Sequence, residues 1–432
     1  MKKSKYNFFY DLNCNELIAY NSLTNSMAII SRDDYGKIDK IVNGEFKEED
    51  QTLINDLKRG FFIEDDNFNE IEFLRYKLMT ARYGTRSLSL TIAPTMACNF
   101  KCIYCYEENH DDWTMMSDEI QESIISFIKE QIRTIQYLSV TWYGGEPLLG
   151  IRIIEKLTKK ILEICSFNNV EYDASIITNG YLLTPGNISI LKKCCISFTQ
   201  ITLDGPKDIH NARRFLKDGG PTFDRIIDNL KILAENIPNI AIRINTDYEN
   251  KDSVEEIVNL LNSKNIPNNV RPYLGFVDNT NDLYSDNTCL SLAEFASSED
   301  KFINFLKNKR EYSSAWRYPS LRANVCGADS CNSFVIDPKG QLYKCWSDIG
   351  IERYSVGSLI DGKMKYSRLF EYLFFDPTID SKCGDCKYLP ICMGGCPRKR
   401  LDQSDDRCAD YEYLLENALV DYANELIKNE RR

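Results

Sequence analysis

The sequence predicts an α/β protein: a partial (β/α)6 barrel of the TIM-like kind, with a small N-terminal winged-helix-like α+β domain and a cysteine-rich C-terminal domain. Three observations carry that prediction. Between residues 87 and 277, apolar strand-like runs alternate with amphipathic helical stretches six times, which implies parallel strands with helices outside. Six repeats suit an open barrel better than a closed one of eight strands. Residues 1–80 hold short strands and short helices, and residues 310–410 lose the alternation and fill with Cys, Gly, Pro and Asp. The expected domains are therefore 1–80, 81–310 and 311–432.

In the first block, Tyr6–Tyr10 and Leu17–Tyr20 read as strands around the turn signal Asn13-Cys14-Asn15, with Ser26–Ile30 as a third. Ser31-Arg32-Asp33-Asp34 opens a helix that runs to Val42 and stops at Asn43-Gly44. A second helix covers Glu48–Lys58, a short strand Phe61–Ile63 follows Gly60, and Asn69–Ala81 forms a linking helix. The barrel strands are expected at Leu88–Ala93, Leu138–Trp142, Ala174–Thr178, Phe198–Leu203, Ile240–Asn245 and Val270–Val277. Helices Ser117–Ile135, Arg152–Cys165, Asn187–Lys193, Phe223–Asn236 and Val254–Ser263 lie between them. Ser117 is a natural N-cap, with Asp118 and Glu119 in the first turn. The cysteine-rich region would be held by metal rather than by apolar packing, and Glu412–Lys428 is again helical. Sites in such sheets form at the C-terminal strand ends.

Composition narrows the chemistry. The 432 residues carry a formal charge of −11, the wrong sign for a generic nucleic-acid binder. No apolar run reaches the ~18 residues of a membrane span. The N-terminus MKKSKYNFFYDLNCNEL lacks a continuous apolar core, so it is not a secretory signal and a cytoplasmic location is expected. Structural disulfides are rare there, so 16 cysteines point first to metal. His110 and His210 are the sole histidines, which excludes a His-rich zinc site. Five cysteines (Cys14, Cys165, Cys194, Cys195 and Cys289) lie among apolar residues or near turns and are expected to be small buried hydrophobes.

The other eleven fall into two groups. Cys98-Asn-Phe-Lys-Cys102-Ile-Tyr-Cys105 follows the first barrel strand, where three thiolates on one tight loop can face a single point. A zinc site wants a fourth protein ligand nearby, and none is offered. A [4Fe–4S] cluster takes one ligand per iron, so three cysteines would leave one iron open. This CxxxCxxC resembles the radical S-adenosylmethionine (SAM) superfamily. The resemblance implies that the open iron binds the amino and carboxylate groups of SAM. Reductive cleavage then yields a 5′-deoxyadenosyl radical that abstracts a substrate hydrogen atom.

Three further loops match that family's pattern. Tyr104 corresponds to its aromatic residue near the adenine. Trp142-Tyr-Gly144-Gly145-Glu146-Pro147 is similar to the motif that contacts the SAM amino group, with the glycines letting backbone approach a ligand. Thr178-Asn179-Gly180 is a polar loop with a family counterpart. Thr202-Leu-Asp204-Gly205-Pro206, followed by His210 and Arg214, is similar to a segment whose hydroxyl and later arginine hold SAM. Thr202 and Arg214 are the matching positions, with Arg213 adjacent. His210 is expected to be structural. The sequence leaves open whether Arg243 points into the barrel.

The second group, Cys326, Cys331, Cys345, then Cys383-x2-Cys386-x5-Cys392-x3-Cys396 and Cys408, resembles the SPASM extension of radical SAM enzymes. Two structural zinc sites are the bland alternative. The resemblance implies three [4Fe–4S] clusters, one SAM-binding and two auxiliary. Cys326, Cys331, Cys345 and Cys396 would hold the first auxiliary cluster, and Cys383, Cys386, Cys392 and Cys408 the second. Without Cys331 the first would keep an open iron, which could bind a substrate thiolate.

SPASM enzymes mostly modify peptides. Sulfatase maturases carry an acidic residue directly after the cysteine matching Cys345, as the proposed base; here Trp346 stands there and Asp348 is the nearest acid. The block before the barrel resembles the leader-binding domain of ribosomal-peptide maturases, in which the leader adds as a strand to a sheet edge. The expected function is therefore a radical SAM peptide maturase that forms a thioether crosslink. Its expected partners are a precursor peptide with its leader and a flavodoxin- or ferredoxin-type reductant, with no nucleic acid and no membrane. A sulfatase maturase or a carbon–carbon crosslinking maturase is the alternative within the family. An Fe–S electron carrier or zinc-stabilised module is the alternative outside it. No catalytic side chain is assigned.

Overall fold

The computed structural model describes residues 1–107, 112–279, 284–324, 326–402 and 407–430, so His110 lies outside the described residues. Two compact units cut across the expected domains. One comprises 1–83, 312–329 and 374–432, the other 84–311 and 330–373. Among the described residues, no helix is long and apolar enough to cross a membrane.

The first unit begins with β1 (Lys2–Lys3) and an antiparallel meander, β2 (Asn7–Asp11), β3 (Glu16–Asn21) and β4 (Ser26–Ser31). Helices Arg32–Val42 and Gln51–Arg59 follow, then β5 (Ile63–Glu64), which pairs with β1, and helix Glu70–Arg82. The first and third of these helices are capped by side chains: Ser31 accepts from Asp34 N and Asn69 from Glu72 N. The central strand is buried on both sides. Ala19 meets Ile38, Ile41, Ile54 and Leu57. On the opposite face, Ile18 and Tyr20 join Phe8, Leu415, Leu419 and Ala423, the last three from helix Tyr411–Glu430.

The cysteine-rich run is not held apart from apolar packing, contrary to expectation. Cys383, Leu389 and Met393 share a cluster with Tyr6, Leu23, Leu74 and Leu78. The apolar residues between the cysteines sit on short helical turns, which turn them into a core the meander also uses. Asn69–Ala81, expected as a linker, is the helix that supplies Leu74 and Leu78 to that core.

In the second unit, β6 (Ser87–Ile92), β7 (Tyr137–Trp142), β8 (Glu171–Thr178), β9 (Ile196–Thr202), β10 (Asn239–Thr246) and β11 (Val270–Phe276) are parallel, in that spatial order. Alternation along β10 shows the layering: Ile240, Ile242 and Ile244 are buried, whereas Arg243 and Asn245 between them are half-buried. The sheet does not close, as six repeats imply. It continues instead from β6 into β12 (Ser333–Ile336), which runs parallel to it, and on to β13 (Gln341–Tyr343) and β14 (Gly357–Ser358), both antiparallel. This hairpin was not expected. Its turn is Asp337-Pro-Lys-Gly340: Asp337 Oδ1 accepts from Lys339 N and Gln341 N at 2.9 Å, and Gly340 has φ +77°. Helix Leu292–Lys309 was also missed, although Ser291 and Glu294 form a capping box at its start.

Glu64 supplies a test of the first unit. It is 6% exposed, close to Glu70, and its pKa is pushed up to about 7 by burial and by that neighbour. A carboxyl whose folded pKa is raised contributes stability below its unfolded pKa, here 4.5, and loses it as pH rises through about 7. We expect the thermal midpoint of this unit to fall between those two values, and Glu64→Gln to flatten that slope and raise the midpoint at pH 8. Equal slopes in both proteins, measured by circular-dichroism melts, would exclude this assignment.

Candidate cluster and cofactor site

After β6 the chain enters the cysteine loop through Ala93–Ala97. Thr95 Oγ1 accepts from Ala97 N at 3.1 Å and donates to Thr114 O at 2.9 Å. The loop after β7 is pressed against this segment. A Cβ on Gly145 would stand 2.2 Å from Met96 O and 2.3 Å from Ala97 O. One on Gly144, where φ is +108°, would stand 2.4 Å from Thr95 O. Glu146 N donates to Ala97 O at 2.9 Å. The Gly-Gly backbone thus packs closely against the cysteine loop, because the two loops leave adjacent parallel strands.

Glu146 is fully buried and its carboxylate is already engaged. It accepts from Thr178 Oγ1 at 2.8 Å, Asn179 N at 2.8 Å and Leu148 N at 3.0 Å. Burial raises its pKa to about 6, and these hydrogen bonds oppose the rise. Glu146 therefore ties the β7 loop to the β8 loop. Asn179 passes the connection on, donating from Nδ2 to Asn99 Oδ1 at 2.8 Å, with Cys98 Sγ at 3.9 Å. Phe100 N donates to Cys98 Sγ at 3.4 Å.

On the other side, the β9 loop meets the cysteine loop at Tyr104. Its hydroxyl donates to Asp204 Oδ2 at 2.5 Å and accepts from Arg214 Nη1 at 2.6 Å. Arg213 is fully engaged, in a bidentate pair with Asp247 at 2.7 and 3.0 Å and through Nε, which donates to Asp204 Oδ2 at 3.4 Å. Of the two adjacent arginines, Arg214 is thus the one with capacity left: its buried Nε has no partner, and neither has Asp204 Oδ1. Thr202 is buried at the end of β9, where its backbone pairs with Arg243 of β10. His210 is fully buried, and burial holds its pKa well below the usual value. Its Nδ1 accepts from Asp204 N at 3.3 Å, and Nε2 lies 3.1 Å from Thr222 Oγ1, which donates to Arg214 O. A neutral ring satisfied on both nitrogens is a loop brace. Arg243 faces the pocket, with Nε donating to Asn245 Oδ1 at 2.6 Å. Asp204, Arg213, Asn245 and Asp247 all belong to this network. The readable signal for the β10 members was a polar residue at every second position after Ile242.

Burial pushes up the thiols of Cys98, Cys102 and Cys105, the last to about 12, and Arg214 partly offsets this at Cys102. Among the described residues, no three Cys, His, Asp or Glu side chains could hold a single ion. A [4Fe–4S] cluster instead takes one thiolate per iron, and its positive charge would favour buried thiolates. The orphaned Arg214 Nε and Asp204 Oδ1 beside it suit a polar ligand carrying both charges. The residues present therefore fit a [4Fe–4S] cluster with SAM.

In the first unit, Cys386 is raised by burial and by neighbouring Cys392 and Cys408. Cys383 is pushed up to about 12 by burial, by Asp380 and by Cys392. Cys326 is pushed up to about 11 by burial, with Cys396 among its neighbours. Cys331 and Cys345 belong to the second unit. Of the five cysteines expected to be buried, Cys165 and Cys194 are. Cys14 and Cys195 are exposed and Cys289 is half-buried. Cys14 lies in the β2–β3 turn, and Cys195 occupies a tight turn at φ +56°, so turn geometry overrides the apolar context.

The glycine contacts give a direct test. Gly145→Ala should displace the Met96–Ala97 backbone, sharply reducing iron and sulfide bound by a variant that retains only the Cys98–Cys105 group. Normal cluster content in that variant would contradict the packing described.

Comparison with known proteins supports this geometry. A family model described as the radical SAM superfamily matches residues 92–261. The chain is 23% identical over 382 residues to a cysteine-type anaerobic sulfatase-maturating enzyme of Clostridium perfringens, covering 78% of this chain and 99% of that one. It is 24% identical over 396 residues to the radical SAM cyclopropyl synthase TigE of Paramaledivibacter caminithermalis, covering 82% and 79%. Streptococcus suis SuiB, solved bound to precursor peptide SuiA, has the same fold at a TM-score of 0.56 and 18% identity, over 94% of this chain and 98% of that one. The cysteine loop after β6 and the three strand-end loops packed around it thus all lie in the stretch, residues 92–261, that matches the radical SAM superfamily model.

Proposed function

We propose that this enzyme modifies a precursor peptide, joining a cysteine sulfur to a carbon of the same peptide. The observation that carries the reading is the first unit. A solved sulfatase maturase aligns in structure with 79% of this chain, whereas SuiB, crystallised with a precursor peptide, aligns with 94%. A maturase that must find its substrate by a leader has use for a sheet such as the meander. Both edge strands of the meander, β2 and β4, pair with β3 alone, and on β4 Ile29 is exposed. A peptide strand adding there would gain main-chain hydrogen bonds.

The second support is chemical. A sulfatase maturase needs a base after the cysteine matching Cys345. Trp346 occupies that place, half exposed and 5.0 Å from the Tyr143 ring. Asp348 is fully buried, accepts from Tyr372 Oη at 2.7 Å and lies 3.9 Å from Arg368 Nη2, so it is committed to packing.

Cys98, Cys102 and Cys105 would hold the SAM cluster; Tyr104, Gly144, Gly145, Glu146, Thr178, Asn179, Thr202 and Arg214 would form the SAM pocket. Cys326, Cys331, Cys345 and Cys396 would hold the first auxiliary cluster, and Cys383, Cys386, Cys392 and Cys408 the second. When bound, these groups supply a hydrogen-abstracting radical and a sink for the second electron of a two-electron oxidation. The protein's own part is to hold Arg214 and Asp204 for SAM and to present the peptide. A flavodoxin- or ferredoxin-type protein is the proposed electron source. A second reading, carbon–carbon bond formation, is favoured by the similarity to a cyclopropyl synthase.

Co-expression with a short peptide encoded beside the gene tests this. A product lighter by two hydrogens, with its cysteine refractory to alkylation, is expected. A two-hydrogen loss with an alkylatable cysteine would select the carbon–carbon reading, and exchange of cysteine sulfur for an aldehyde oxygen would select formylglycine. Ile29→Asp should abolish the modification while SAM cleavage to 5′-deoxyadenosine survives. Cys98→Ala should abolish both.

A further inference from the structure

The Tyr104 hydroxyl is surrounded so that the direction of its proton is determined. Asn245 Nδ2 donates to it at 3.0 Å and Arg214 Nη1 at 2.6 Å, while the hydroxyl donates to Asp204 Oδ2 at 2.5 Å. A phenol offers one proton and accepts through its oxygen, so two donors on that oxygen send the proton to the carboxylate. Asn245 can donate only while its carbonyl oxygen faces away. Arg243 ensures this, since its Nε donates to Asn245 Oδ1 at 2.6 Å and a guanidinium cannot accept.

Arg243 is itself held. Its Nη2 donates to Phe276 O at 3.1 Å, and it lies across Gly275, where a Cβ would stand 2.5 Å from Nε. Asn250 closes the arrangement from the same strand end, donating to Asp204 O at 2.6 Å and Asn245 O at 2.7 Å. The chain Arg243–Asn245–Tyr104 thus runs from the β10–β11 edge to the cysteine loop, and ends on the two residues, Arg214 and Asp204, that keep buried unpartnered atoms.

We infer that Arg243 and Asn245 are positioning residues for SAM: they orient the Tyr104 hydroxyl and so hold the Arg214 guanidinium and the Asp204 carboxylate where SAM meets them. This rests on the SAM-pocket reading of Tyr104 and Arg214. Neither Arg243 nor Asn245 needs to touch SAM.

Asn245→Asp is the discriminating variant, because it keeps the acceptor for Arg243 and removes the donor to Tyr104. In full-length reconstituted protein, SAM affinity would be measured by equilibrium dialysis, alongside the electron paramagnetic resonance spectrum of the reduced cluster with and without SAM. Asn245→Asp and Arg243→Gln should each weaken SAM binding about tenfold at unchanged cluster content. Arg243→Lys should recover part of that loss, and the SAM-induced spectral change should need correspondingly more SAM. In a Tyr104→Phe background, Asn245→Asp should weaken binding no further. A full additional loss there would place Asn245 in direct contact with SAM and overturn the inference. Unchanged affinity in Asn245→Asp, or loss of iron from it, would overturn it as well. Arg214→Gln controls the underlying reading: wild-type SAM affinity in that variant would refute the pocket itself, whatever Asn245 does.

Discussion

The contact between the Gly144–Gly145 backbone and the carbonyls of Thr95, Met96 and Ala97 is the constraint on which the site depends. Three cysteines fall within eight residues of one short loop. Its entry is held by the neighbouring loop at a spacing that admits no side chain at either glycine. Glu146 then extends the same restraint to β8 through Thr178 and Asn179, and Asn179 returns it to Asn99 within the cysteine loop. The loop is fixed by its neighbours.

Around Tyr104 the restraint is electrostatic. Two adjacent arginines are separated in role by their acidic partners. Asp247 takes both ends of the Arg213 guanidinium, which leaves Arg214 for Tyr104. Buried ionic groups are costly unless paired and hydrogen-bonded. Most polar atoms here are satisfied, and Arg214 Nε and Asp204 Oδ1 are among the buried exceptions.

The first unit shows a different economy. A three-stranded meander alone would leave one face wet, yet β3 is buried on both faces because helix Tyr411–Glu430, from the far end of the chain, covers the second. The cysteine-rich run contributes Leu389, Ile391 and Met393 to the same cores. The block at the N-terminus has one core of its own, around Ala19, Ile38, Ile41, Ile54 and Leu57, and shares others, so its removal would expose the apolar face of a helix more than 300 residues away in sequence.

Much of this was legible in the residues. Strand–helix alternation from Leu88 to Val277, caps such as Ser31, Asn69 and Ser117, and the turn at Asn13–Asn15 depend on neighbours a few residues apart, so periodicity and capping chemistry report them. The cysteine spacings and the Gly-Gly-Glu-Pro motif likewise marked the site, because the ligands of one loop are local. What local pattern could not carry was partnership. Whether Arg213 or Arg214 serves the pocket depends on Asp247, more than thirty residues on. Whether Gly144 and Gly145 face a ligand or a loop depends on the parallel pairing of β6 with β7. That β12 joins β6, and that Cys386 neighbours Cys408, are long-range facts as well. The sequence by itself determined the order of elements and the chemistry they carry. Only the tertiary structure decided which buried charge meets which, because that choice is made across strand ends that lie far apart along the chain.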